Sequence, residues 1–123
     1  MKKILLVDDT PDILENLTEL LRMEDYDVAG AVNGAEALRK LSSFAADIII
    51  TDLRMPVMDG FTFLEKLKRN NEFSSIPVAV FSANAIPENE TKCLELGAIH
   101  FIKKPCSAEY LLKFLSTFFV ENE

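Results

Sequence analysis

The sequence has no apolar run long enough to cross a bilayer, which excludes a membrane-spanning helix. It has no excess of positive charge: 13 Lys and Arg stand against 20 Asp and Glu, for a formal net charge of -7. Such a surface repels backbone phosphates and argues against nucleic acid as the direct partner. There are two cysteines, Cys93 and Cys106, and their spacing matches no zinc or redox motif. They read as small buried or half-buried residues in a reducing cytoplasm, with a disulfide between them as the alternative. The single histidine, His100, has no Cys or His cluster around it and reads as a strand-end surface residue. No repeat, low-complexity tract or Pro/Gly/Ser-rich linker interrupts the chain. Met1-Lys2-Lys3 and the apolar Ile4–Val7 faintly resemble a signal peptide, but the stretch is short and ends in Asp8-Asp9, so export is rejected.

What is present suits one domain: 123 residues, 49% apolar and 27% charged. Short apolar runs alternate with helix-period segments. After Ile4–Val7, Thr10 is expected to cap a helix with Pro11 at its first position and Asp12 in its first turn. Ile13, Leu14, Leu17, Leu20 and Leu21 form its apolar stripe. Val28–Val32 is a weak second strand, and Asn33 with Glu36 marks the next helix start. Ile48, Ile49 and Ile50 form a β-branched third strand. Asp59 or Gly60 opens a helix carried by Phe63, Leu64 and Leu67. Pro77–Phe81 is the fourth strand, and a helix from near Pro87 to Leu96 stops at Gly97. Phe101-Ile102 lies in the fifth strand, and Ser107 caps a last helix from about Ala108 to Phe119. This order predicts an α/β fold: a single doubly wound (βα)5 parallel sheet, covered on both faces, in the flavodoxin-like strand order 2-1-3-4-5.

Ligands in such sheets bind at the carboxyl ends of the strands, where the strand order reverses. Reading just past the strands gives Asp8 and Asp9, then Asp52, then Ser82, then Lys104. At ~4–5 Å and an effective dielectric near 20, each pair of like charges costs roughly 3–4 kcal/mol. A divalent cation removes that cost, and oxygen ligands at a half-exposed rim suit Mg²⁺. A cation, a lysine and a hydroxyl around one carboxylate can stabilise a transferring phosphoryl group, with the carboxylate as nucleophile.

These residues carry a resemblance that covers essentially the whole chain. Asp8-Asp9, the stretch Asp52-Leu53-Arg54-Met55-Pro56-Val57-Met58-Asp59-Gly60, Ser82-Ala83, Gly97-Ala98, Phe101 and Lys104-Pro105 follow in order, each at the end of the right strand. In this the sequence resembles the receiver domain of two-component response regulators. The resemblance implies that residues 1–123 form one receiver domain and that Asp52 is the phosphoacceptor. It implies Asp9 as a direct Mg²⁺ ligand, Asp8 as a ligand through water, and the Arg54 carbonyl as a third protein ligand, with the metal also touching Asp52. Lys104 would contact the phosphoryl group and a carboxylate. Ser82 would move toward the phosphoryl oxygen after transfer, and Phe101 would swing inward into the space released. The Lys104-Pro105 bond is expected to be cis. Phe101 stands where Tyr is frequent, so its switch lacks a phenolic hydrogen bond. Arg54 and Asn84 lie where family members vary and where phosphoryl lifetime is tuned.

The resemblance further implies a cytoplasmic signalling switch rather than a metabolic enzyme, one that catalyses its own phosphorylation and dephosphorylation. Its donor would be a sensor histidine kinase or a histidine phosphotransfer protein. Its output would be a downstream effector or a homodimer through the face of the fourth helix, fifth strand and fifth helix. Tyr110, Leu111, Leu112, Phe114, Leu115, Phe118 and Phe119 are too many apolar residues for one buried stripe. They fit either a wide core face or a partner surface. Two other readings compete with the switch. An interaction module that works without phosphorylation would be marked by loss of an acid, the lysine or the hydroxyl, and none is lost. A haloacid-dehalogenase-like phosphatase would carry its second Asp two residues after the nucleophile at the end of the first strand, followed by Thr, and "VDDTPD" lacks that spacing. A stand-alone receiver, a phosphorelay intermediate and the N-terminal piece of a longer regulator all fit these residues.

Overall fold

Four of the five residues of "KILLV" are buried, and the segment forms β1 (Lys3–Val7), an interior strand of the sheet. The structure, a computed structural model, describes residues 1–122. Its elements follow the expected alternation: α1 (Pro11–Met23), β2 (Asp27–Ala31), α2 (Gly34–Leu41), β3 (Ile48–Thr51), α3 (Gly60–Arg69), β4 (Val78–Ser82), α4 (Pro87–Glu95), β5 (His100–Lys103) and α5 (Ala108–Glu121). All strand pairs are parallel, and the sheet order is β2-β1-β3-β4-β5. The fold class and strand order are those read from the sequence.

Strand alternation divides the core between two faces. Leu5, Val7, Ile49, Val78 and Val80 pack with α2–α4 residues such as Phe63, Leu64 and Leu67. Ile4, Leu6, Ile48, Ile50, Ala79 and Phe81 pack with Leu21 of α1 and Leu111, Leu115 and Phe119 of α5. Burial of both faces explains why the central strands are apolar at every position rather than at alternate ones.

Small differences from the expected boundaries have local causes. β2 begins one residue early because Asp27 pairs with Lys3 across the sheet, and Val32 is left outside the strand. β4 extends to Ser82, whose carbonyl accepts from the Lys104 backbone N–H at 3.0 Å. Thr10 occupies the N-cap of α1 but makes no capping hydrogen bond with its side chain. Its backbone N–H donates to Asp8 Oδ1 at 2.9 Å, so the carboxylate two residues upstream fixes the turn that leads into the helix. Asn33, Asp59 and Ser107 do cap their helices, each accepting from the backbone N–H three residues on. Gly97 ends α4 at φ +102, a left-handed conformation that favours glycine.

Candidate functional site

β1 and β3 are neighbours at the point where the strand order reverses, and their ends deliver the first two carboxylates. The register pairs Val7 with Thr51, so Asp8 and Asp52 leave the sheet side by side. The Asp52 backbone N–H donates to the Val7 carbonyl at 2.9 Å, which extends the ladder one step and ties the two acids together. The Asp52 carboxylate accepts from the Leu53 N–H at 2.7 Å through Oδ1. Thr51 Oγ1 holds the Asp52 carbonyl at 3.0 Å. Gly60 lies tight against the same peptide: a Cβ there would stand 2.5 Å from the Asp52 carbonyl oxygen. The start of α3 can therefore approach Asp52 only with glycine at that position.

Lys104 enters from the end of β5. Its Nζ donates to Asp8 Oδ2 at 2.6 Å and to Asp52 Oδ2 at 2.9 Å. The ammonium also stands 5.1 Å from the centre of the Phe81 ring. Asp8 and Asp52 are buried, and Asp9 at the rim is exposed. Burial alone would lower the Lys104 pKa, but the hydrogen bonds and charges of Asp8 and Asp52 outweigh it and hold the ammonium above the ordinary lysine value. Ser82 is fully buried beside them, and its Oγ accepts from the Asn84 N–H at 3.1 Å. Asp52, Arg54, Ser82, Ala83 and Asn84 line an open cleft of about 210 Å³ over the acid.

Carboxylate oxygens of Asp8, Asp9 and Asp52 lie within 4.8 Å of one another. One ammonium against three carboxylates leaves negative charge in a partly buried place. The Arg54 carbonyl accepts no hydrogen bond from the described residues. Hard oxygen donors at this spacing, half open to water, fit a small divalent cation such as Mg²⁺.

Of the residues the sequence assigns to the site, Asp8, Asp9, Asp52, Arg54, Ser82 and Lys104 reach this rim. Phe101 sits below it. The residue is 7% exposed, packed within the α2–α4 side of the core and opposite Val80 of β4. Lys104-Pro105 is cis, as expected. Cys93 is buried, Cys106 is half-buried, and both are free thiols. His100 is half-buried rather than a plain surface residue: it stacks on Phe114 and lies 3.1 Å from the Tyr110 hydroxyl. On α5, Leu111, Leu115 and Phe119 are buried. Leu112, Phe114 and Phe118 are half-buried, and Tyr110 is exposed. The helix is thus both a core face and an apolar margin. Among the described residues, no helix is long and apolar enough to cross a membrane.

The profile of the response regulator receiver domain matches residues 4–116. The chain is 38% identical over 103 residues to the transcriptional regulatory protein PrrA of Mycobacterium tuberculosis, covering 84% of the chain and 43% of that protein. It is also 38% identical over 109 residues to the sensor histidine kinase TmoS of Ectopseudomonas mendocina, covering 89% of the chain and 11% of that protein. The chain thus spans less than half the length of these relatives. Among solved structures, the chemotaxis response regulator CheY4 of Vibrio cholerae superposes with a TM-score of 0.88 at 33% identity, over 95% of this chain and 98% of that one. The receiver domain of the sensor histidine kinase PA1611 of Pseudomonas aeruginosa, solved with a magnesium ion in its active-site cleft, has a TM-score of 0.85 at 28% identity, over 94% and 95% of the two chains.

Proposed function

The chain belongs to the response regulator receiver family, a family of phosphoacceptor signalling switches, and from that premise we propose that Asp52 is its phosphoacceptor. The observation that carries this reading is the Lys104 ammonium shared between the buried Asp8 and Asp52 carboxylates, beside the buried Ser82 hydroxyl.

An Asp52 oxygen attacks the phosphorus of a phosphohistidine or a small phosphoramidate. The new O–P bond forms as the N–P bond breaks, and the departing nitrogen keeps the electron pair and takes a proton from water. Lys104 stays at Asp52 and meets the arriving phosphoryl oxygens, while Asp8 holds its other side. The Asp8, Asp9 and Asp52 carboxylates and the Arg54 carbonyl would hold Mg²⁺. Bound there, the ion supplies positive charge to the phosphoryl oxygens. Autodephosphorylation runs through the same cleft: water attacks the phosphorus and the Asp52 carboxylate leaves. Arg54 and Asn84 line that approach and govern its rate. The Ser82 hydroxyl leaves the Asn84 N–H for a phosphoryl oxygen. The shift passes to Phe101 through its neighbour on β4.

The donor in this reading is a sensor histidine kinase or a histidine phosphotransfer protein, in the cytoplasm. The output is an effector or a second copy docked on α4, β5 and α5. The exposed Ile86, Leu94, Ile99 and Tyr110 on that side support the assignment. The test is intact-protein mass after incubation with phosphoramidate, with and without Mg²⁺. The expected result is one labile phosphoryl group that requires both the metal and Asp52. Phosphorylation that survives Asp52→Asn at the wild-type rate would refute it.

A further inference from the structure

Lys104 is pinned on two sides by carboxylates, and its third side meets a ring. β4 alternates, so Ser82 faces the phosphoacceptor while Phe81, one residue earlier, joins the α1/α5 face of the core. The same two residues of β4 handle Lys104 twice. Ser82 takes its backbone N–H at 3.0 Å, and Phe81 places a ring centroid 5.1 Å from its Nζ. Around that ring, Leu6, Leu14, Leu17 and Ile50 close an apolar floor directly below Asp8 and Asp52, leaving room for about 10 Å³. That volume sits at or below the threshold for one water molecule. The Lys104 side chain is 13% exposed, so little water competes for its charge. An ammonium within ~6 Å of a ring face is attracted to it, more strongly as water is excluded.

We propose that Phe81 is a positioning residue for phosphoryl transfer: its ring closes the side of the Lys104 ammonium that Asp8 and Asp52 leave open, so the amine stays at the phosphoacceptor and cannot swing away. This rests on the assignment of Asp52 and Lys104 above. Lysine's stem is flexible and its ammonium is a point charge without the fixed fork of arginine, so an external wall is the means by which its position can be held. Phe81 acts on the reacting oxygens only through Lys104.

The test compares wild type with Phe81→Leu and with 3,4,5-trifluorophenylalanine placed at position 81 alone. The fluorinated ring keeps the packing shape and removes most of the negative face, so it separates electrostatic positioning from core filling. Phosphoramidate phosphorylation with Mg²⁺ is followed to saturation. The saturating rate is expected to fall about fivefold in Phe81→Leu, equivalent to ~1 kcal/mol at roughly tenfold per 1.4 kcal/mol. The trifluoro ring should fall between, with half-saturating donor and Mg²⁺ concentrations unchanged within about twofold. A trifluoro variant that reacts at the wild-type rate overturns the proposal. A second readout is independent of phosphorylation: the Lys104 ε-methylene proton signals should be shifted upfield by the ring in wild type and return toward ordinary values in Phe81→Leu. Unshifted signals in wild type overturn it even if Asp52 proves not to be the acceptor. A wild type that shows the ring shift but gains no phosphoryl group would refute the assignment of Asp52 and leave the Phe81 contact standing.

Discussion

The two ends of the sheet carry the same pair of side chains in opposite settings. At the amino end, Lys3 Nζ meets Asp27 Oδ2 at 2.9 Å, with the side chains 40% and 44% exposed. At the carboxyl end, Lys104 Nζ meets Asp52 Oδ2 at the same 2.9 Å, with the side chains 13% and 11% exposed, and Asp8 besides. An exposed pair contributes ~0–1 kcal/mol, because water and salt screen it. A buried one must recover a desolvation cost of several kcal/mol per ion, and apolar residues of the same volume would often serve stability better. Equal distances thus mean different things. The pair at the amino end fixes where β2 starts. Apolar residues would often serve stability as well as the buried cluster at the carboxyl end, so its presence there supports the proposed phosphoryl-transfer role.

The strongest way to break the contrast is to remove the buried cation. Lys104→Met leaves Asp8 and Asp52 buried without their ammonium and should lower unfolding free energy by ~3 kcal/mol at neutral pH, measured by urea denaturation without metal. The same variant should lose an alkaline signature. The Lys104 pKa is raised in the fold, so the stability it contributes is complete below the unfolded lysine value of ~10.4 and is lost as pH rises through the higher folded value. Wild type should therefore show an extra decline above that pH which Lys104→Met does not. Next in size is Gly60→Ala. Gly to Ala in a helix ordinarily stabilises by up to ~1 kcal/mol, but here the new methyl meets backbone at 2.5 and 2.7 Å. A net loss of ~2 kcal/mol is expected, together with slower phosphorylation as Asp52 is displaced.

Removing a like charge should act in the opposite direction. Asp9→Asn should raise the metal-free melting temperature, a gain of ~1 kcal/mol after screening at the exposed rim. Millimolar Mg²⁺ should raise wild type further and move Asp9→Asn much less, since binding to the folded state adds stability in proportion to RT ln(1 + [L]/Kd). The smallest effect belongs to the amino end: Asp27→Asn should change stability by no more than ~0.5 kcal/mol, and less in high salt. A large loss there would erase the distinction between the two ends.

The fold was legible because the sheet is covered on both faces. Ile4–Val7, Ile48–Ile50 and Val78–Phe81 are apolar at every position, and Asn33, Asp59 and Ser107 are caps that local chemistry alone requires. The weak strand was misplaced by one residue because its start depends on Lys3, 24 positions away. The acids and lysine of the site were legible as residues that follow strands. Their pairing was not, since Lys104 reaches Asp52 and Asp8 across 52 and 96 positions. Thr10 does stand at the N-cap of α1, but Asp8 is held by both Lys104 and the Thr10 N–H, a long-range tie that the local sequence does not show. Phe81 was hidden because a phenylalanine inside an apolar strand looks like core, and only the reach of Lys104 gives it a second contact. His100 looked solitary because its partners, Tyr110 and Phe114, lie on the following helix.

The most direct measurement is chemical trapping of the phosphoryl site. Protein incubated with phosphoramidate and Mg²⁺ would be reduced with borohydride, which converts an aspartyl phosphate to homoserine, and then mapped by peptide mass spectrometry. Homoserine at position 52 alone, absent without Mg²⁺ and absent when the donor is omitted, is the predicted result. Homoserine at position 8 or 9 instead, or a phosphoryl group carried by His100, would contradict the account.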